Sequence, residues 1–238
     1  MGSPYENIRE KGLSVMSWSL LAALSSLGIL GCGRGDIVLG GEGNFEPGHV
    51  VEVSLEMNPA DWEVLRMESR SFVTEFQGDC RSGPFESDYT TFHASLEMDE
   101  EGLSDVGVRK KGFLGSQSTS KPGFKINLDE YVEGAELFGT DNVTLNNAVQ
   151  DPSLIRQCMG YAVFAEAGYP APRCNFARVS MNGEDLGIYA HVEPLKRSFL
   201  RAHFGNDTGD LYEGTLSDLR EDWVQTFDPK TSDTDASL

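Results

Sequence analysis

The stretch VGVRKKGFLGSQSTSKPGFKI, residues Val106 to Ile126, reads as two strands around a Gly/Ser-rich tip. In an extended chain Val106 and Val108 point to one side while Arg109 and Lys111 point to the other. Beyond the tip, Phe124, Ile126 and Leu128 alternate with Lys125 and Asn127. The pair therefore forms a hairpin with an apolar face for the core and a second face carrying Arg109, Lys111 and Lys125, with Lys121 near the tip. The rest of the chain is acidic, with a formal net charge of -19. A nucleic acid or an anionic membrane surface would be repelled by such a molecule as a whole, so any phosphate site has to be built locally. Two readings of the cationic face stand side by side. It either cradles a polyanion with lysines and backbone N–H groups, or is an ordinary solvated strand face. No Walker-type G-x-x-x-x-G-K-[ST] spacing accompanies it.

Upstream, Val51, Val53 and Leu55 alternate with Glu52, Ser54 and Glu56 as in a half-buried strand. Asn58 and Pro59 open a helix whose stripe is Trp62, Leu65 and Met67. Gly78 to Ser87 is loop, and Tyr89 to Glu97 is a strand in which His93 has no neighbouring ligand and serves structure or solvent. Downstream, Asp151 caps a helix running to Gly168, with Leu154, Ile155, Cys158, Met159, Ala162 and Val163 as its buried stripe and Cys158 as a small hydrophobe within it. Cys174 to Met181 and Leu186 to Val192 are strands joined through Asn182-Gly183, a strong hairpin signal. A basic amphipathic helix follows Pro194 and stops at Gly205, and Asp210 to Glu213 is a last strand-like piece.

The N-terminus reads as an address. An apolar run from Trp18 to Gly31, preceded by Arg9 and Lys11, is shorter than the roughly 20 residues a spanning helix needs and has the build of a secretory signal. It ends in Ile29-Leu30-Gly31-Cys32, which looks like a lipobox; an ordinary signal peptide containing a cysteine is the alternative. With Met1 as the start, residues 1–31 are the signal and 32–48 a Gly-rich tether from a diacylglycerol on Cys32. Residues 49–227 form the folded domain, and 228–238 a polar tail that frays. With Cys32 lipidated, Cys80, Cys158 and Cys174 leave room for one disulfide, its pairing open, and no metal site is expected.

Taken in order, VGVRKKG (106–112), KPGFKI (121–126), LFG (137–139), LNN (145–147), DPSLIR (151–156), GYPAP (168–172), NGEDLGIYAHVE (182–193) and FGNDTGDLYEG (204–214) resemble the spore-coat CotH kinase family over most of the mature chain. The resemblance implies an α+β fold, an antiparallel sheet with packed helices like the N-terminal lobe of an atypical protein kinase, with the second lobe largely missing. It implies ATP and Mg²⁺ as cofactors and a serine-rich exported protein as phosphoryl acceptor. The hairpin, with Arg109, Lys111 and Ser116, would cover the phosphates; Lys125, with Lys121 second, would be the phosphate-pairing lysine. The helix from Asp151 would brace that lysine. Tyr189 to Glu193 would line the adenine pocket, unless Glu193 orients a basic neighbour. The family's catalytic and metal-binding aspartates would lie beyond the Leu-Tyr-Glu-Gly stretch, and Asp218, Asp222 and Asp228 read as acidic surface. The expected setting is the cell envelope, with the lipid in a bilayer, the outer membrane favoured, and no nucleic-acid partner. A catalytically silent surface binding module and an adhesin are the competing functions.

Overall fold

Seven strands of the computed structural model close on themselves in the order β1-β2-β3-β4-β5-β7-β6. Residues 44–46, 48–71, 89–113, 115–214 and 217–231 are described, so the leader, the first part of the tether with Cys32, the loop Gly78 to Ser87 and Cys80 lie outside them. The end of the expected tether is packed instead, with Phe45 buried and stacked 4.3 Å from His191, and the Asn44 carbonyl accepting from Asn175. The barrel strands are β1 (Val50–Met57), β2 (Thr91–Met98), β3 (Glu101–Lys111), β4 (Gly123–Asn127), β5 (Asn142–Asn146), β6 (Cys174–Met181) and β7 (Glu184–Val192). Neighbours are antiparallel except at the seam, where β1 runs parallel to β6 with Val50 opposite Phe176 and Leu55 opposite Met181.

This corrects the expected α+β lobe. The chain is mostly β, because the apolar faces of the strands meet across the barrel interior and need no covering helices. Val51, Val53, Leu55, Val106, Val108, Phe124, Ile126, Leu145, Val179 and Tyr189 fill that interior. Closure also leaves no long sheet edge to protect. The turn at Asn182 and Gly183 has positive φ at both residues, 50° and 79°, as a two-residue hairpin requires. Asn182 also accepts from the Met57 amide at 2.8 Å, which pins the hairpin to the end of β1.

Helix α1 (Pro59–Met67) is capped by Asn58, whose side chain accepts from the Ala60 amide, and it drops Trp62 and Leu65 into the core. Met67, expected in that stripe, is exposed. Lys110 lies on the valine face of β3, 1% exposed, and its ammonium donates to the carbonyls of Arg66 (2.7 Å) and Glu68 (2.5 Å). These are carbonyls at the end of α1, so the buried cation takes the place of a missing helical turn.

Helix α2 (Arg156–Glu166) differs from expectation in three ways. It begins at Arg156, because Asp151 instead closes a turn by accepting from Ser153 and from the Arg156 amide. No residue of it is buried, and Met159, Val163 and Phe164 are exposed. Cys158 is not a free small hydrophobe; it is disulfide-bonded to Cys174 on β6. The barrel fills its own interior, so the apolar stripe of α2 has nothing to enter.

Helix α3 (Arg197–Phe204) ends at Gly205 in the left-handed conformation, as read. Past it, β8 (Tyr212–Gly214) pairs with β9 (Phe227–Pro229) in a separate two-stranded ribbon. Asp228 and Pro229, placed in the fraying tail by sequence, belong to this ribbon, and the Lys230 amide beyond them donates to the Leu211 carbonyl at 2.7 Å. Thr231 accepts from the Leu211 amide, and α3 holds the ribbon through Arg197, which donates to Asp207 and Thr231 carbonyls.

Candidate functional site

The outer face of β3, β4 and β5 forms the floor of a cleft of about 1010 Å³. Arg109 stands directly opposite Lys125, Lys125 opposite Thr144, and Thr144 opposite Val192, so one row of paired residues crosses the floor. In the next row Lys111 faces Gly123. A Cβ at Gly123 would come within 3.0 Å of the Lys111 carbonyl, so the missing side chain keeps the backbone there open. The hairpin tip and the segment Asn147 to Leu154 form one wall, joined where Gly115 abuts Gln150: a Cβ on Gly115 would lie 1.9 Å from the Gln150 amide nitrogen. Arg156, Gln157 and Tyr161 of α2 continue that wall, and Glu193 to Lys196 with the β8–β9 ribbon make the other.

Like charges opposite one another on neighbouring strands repel. Among the described residues, the side chains of Arg109, Lys111 and Lys125 have neither a hydrogen bond nor an ion pair. Burial, and then the charges of Arg109, Lys196, Lys230 and Lys111, push the Lys125 ammonium down to about 8. Lys111 is also pushed down, by burial first and Arg109 after it, against the pull of Glu213. The cleft thus concentrates positive charge that the fold does not neutralise. Its facing carboxylates are occupied: Lys230 binds Glu213 at 2.8 Å and also Asp228.

Ser116 lines the cleft, but its hydroxyl accepts from the Phe113 amide (2.9 Å) and donates to the Phe113 carbonyl (3.0 Å), locking the tip. Glu193 lines the cleft and is buried. Burial acts to raise its pKa, but hydrogen bonds from His203 (2.9 Å) and Arg173 (2.8 and 2.9 Å) outweigh it and keep the carboxyl below its usual range. It therefore orients basic neighbours, the alternative role. Two predicted residues lie elsewhere. Tyr189 is wholly buried in the barrel, stacked 5.9 Å from Phe124, and burial pushes its phenol up. Lys121 sits 5.0 Å over the Tyr189 ring and donates to the Ile188 carbonyl at 2.7 Å, beyond the last β7 residue that pairs with β5. It fills a gap in the sheet and does not line the cleft. Helix α2 offers the cleft no carboxylate, so it supplies Lys125 with no acidic brace.

A family model described as CotH kinase protein matches residues 108–237, more than half of the 238-residue chain. The chain belongs to this family. The match begins on β3 and takes in the floor, α2 and both walls of the cleft. Two curated relatives from Bacillus subtilis (strain 168) share shorter stretches. Inner spore coat protein H is 36% identical over 62 residues, 26% of this chain and 17% of the relative. Inner spore coat protein H-like protein is 35% identical over 74 residues, 31% of this chain and 24% of the relative. The aligned stretches thus span under a quarter of these relatives' length.

Lys196 and Lys230 are cleft cations of this CotH-family chain that sequence reasoning left out of the site. Lys196 opens the basic helix and could have been suspected; Lys230 is brought in only by the pairing of β9 with β8. Among the described residues no three His, Cys, Asp or Glu side chains gather as metal ligands. With Glu213 and Asp228 both held by Lys230, these residues do not fit a resident divalent cation.

Proposed function

We propose that the cleft binds the polyphosphate of ATP, with Lys125 and Arg109 as the central contacts and Lys111 beside them, for phosphoryl transfer to serines of exported proteins. The observation that carries this is the in-register Arg109–Lys125 pair, unpartnered and half-buried in an acidic chain. A bound triphosphate would relieve the repulsion between these cations and stabilise the charged form of Lys125. The family membership supports phosphoryl transfer as the chemistry. Kinship with inner spore coat proteins, together with the leader and Cys32, supports an exported, lipid-anchored setting.

Calorimetric titration of the purified chain with ATP tests it. Saturable heat that Lys125→Ala removes is expected, and equal titration curves for the two proteins defeat the assignment. The engagement of Glu213 and Asp228 by Lys230 favours a second reading, nucleotide binding without turnover. Labelled ATP offered with a serine-rich acceptor separates the two, since transfer of label to the acceptor rules out the silent form.

A further inference from the structure

We propose that the Cys158–Cys174 disulfide is an oxidation-dependent latch that positions one wall of the cleft, so that polyphosphate is held fully only while the bond is closed. The inference rests on the nucleotide reading above for its ligand and on α2 for its mechanism.

Helix α2 has little else to hold it. It is 11 residues long, and isolated helices shorter than about 12–15 residues are marginal in water. None of its residues is buried. Its N-cap, Ile155, makes no side-chain capping bond, and neither an acidic first turn nor a basic last turn favours its dipole. Gly160 in its middle weakens it further. Its polar links to the rest of the chain are Asp151, which accepts from the Arg156 amide and pairs with the exposed Arg156 guanidinium at 3.4 Å, and the 2.9 Å bond from Asn146 to Gln157. Yet Arg156, Gln157 and Tyr161 project from it into the cleft. The disulfide fastens this weak element to β6, a strand hydrogen-bonded on both sides by β1 and β7, whose Ala177 and Val179 are in the core. Opening the bond therefore frees the wall and leaves the barrel intact.

Both cysteines are half-buried, within reach of a small dithiol. One thiolate of the dithiol attacks a cystine sulfur, breaking the Cys158–Cys174 bond and forming a mixed disulfide. The second thiolate closes the reductant into a cyclic disulfide and releases the other cysteine. Two electrons and two protons pass from the dithiol to Cys158 and Cys174, and the wall is released.

The test uses the full chain with ATP as probe, with and without dithiothreitol, beside a variant carrying Cys158→Ser and Cys174→Ser. Amide hydrogen exchange over 156–166 is followed with the ATP affinity. On reduction, α2 should lose protection while the barrel strands keep theirs. The ATP Kd should weaken about tenfold if the released wall is in place roughly a tenth of the time. Reoxidation should restore both, and the double variant should match the reduced protein and ignore the reductant. Unchanged exchange and affinity overturn the latch, as does loss of protection throughout the barrel, which would make the bond a staple of the whole fold. If the oxidised chain binds no ATP, the nucleotide reading falls, and exchange alone still decides whether the bond holds the wall.

Discussion

Replacing Lys125 by Met should make the protein more stable and unable to hold ATP. Methionine keeps most of the apolar stem and removes the charge that burial, Arg109, Lys196, Lys230 and Lys111 all disfavour. The ammonium falls from 10.5 to about 8 in the folded chain, and at 1.36 kcal/mol per pKa unit that is an upper bound of about 3 kcal/mol. Solvent reaches part of the side chain and screens it, so about 1.5–2 kcal/mol is the expected gain at pH 7. In a domain of this size that amounts to roughly 3–8 °C in Tm. The sign follows from proton counting. Below pH 8 Lys125 is charged in both states and the full cost is present. Between 8 and 10.5 the unfolded chain binds the extra proton, so the wild type gains stability as pH rises, and the advantage of Lys125→Met fades. Salt should shrink it too, since part is repulsion between cations. Thermal melts of the two proteins at pH 7 and pH 10, each with and without ATP, read out all of this. A variant no more stable at pH 7, or one whose gain persists unchanged at pH 10, refutes the electrostatic reasoning; an ATP-induced shift surviving in the variant refutes the binding role.

Three other outcomes are expected. Burial, then the charge of Arg173, pushes His191 down to about 3. The unfolded imidazole protonates near 6.5 while the folded one stays neutral, so stability should drop by roughly 2–3 kcal/mol between pH 7 and pH 4.5; urea melts should show that drop, smaller in His191→Gln. Lys110→Ala leaves the Arg66 and Glu68 carbonyls without their donor and opens a cavity, costing about 3 kcal/mol by chemical denaturation, with α1 the first element to lose amide protection. Ala148 adopts a positive φ of 50° in the wall segment, so Ala148→Gly should stabilise by about 0.5–1 kcal/mol, and a lower Tm would show that the side chain matters more than the backbone.

Much of the cleft floor could be read from sequence because the hairpin is local. Alternation in Val106 to Ile126 sets which residues share a face, and adjacency along the chain, across a long tip from Gly112 to Pro122, sets which strand pairs with which, so Arg109 and Lys125 could be placed together without a structure. The reach of that logic ends at Lys121, which lies off the strand and turns toward Ile188, and at Tyr189, whose phase in β7 aims it into the barrel. Alternation on β3 also puts Lys110 on the valine face, where an apolar core would not call for a lysine; only the end of α1 above it supplies the carbonyls it needs.

The sequence by itself determined β1, β2, β3, β4, β6 and β7 but not β5, the two faces of the β3–β4 hairpin, the caps at Asn58 and Gly205, the Asn182-Gly183 turn, and the clustering of cations on one hairpin. These depend on neighbours two to twenty residues away. Tertiary structure alone decided that β1 and β6 meet in parallel to close a barrel, that the stripe of α2 stays outside it, that Cys158 joins Cys174, and that Lys230 reaches the cleft. An apolar face specifies that something must cover it, and period alone carries no information about what does. Here the strands covered one another, and the helix was left to be held by a covalent bond.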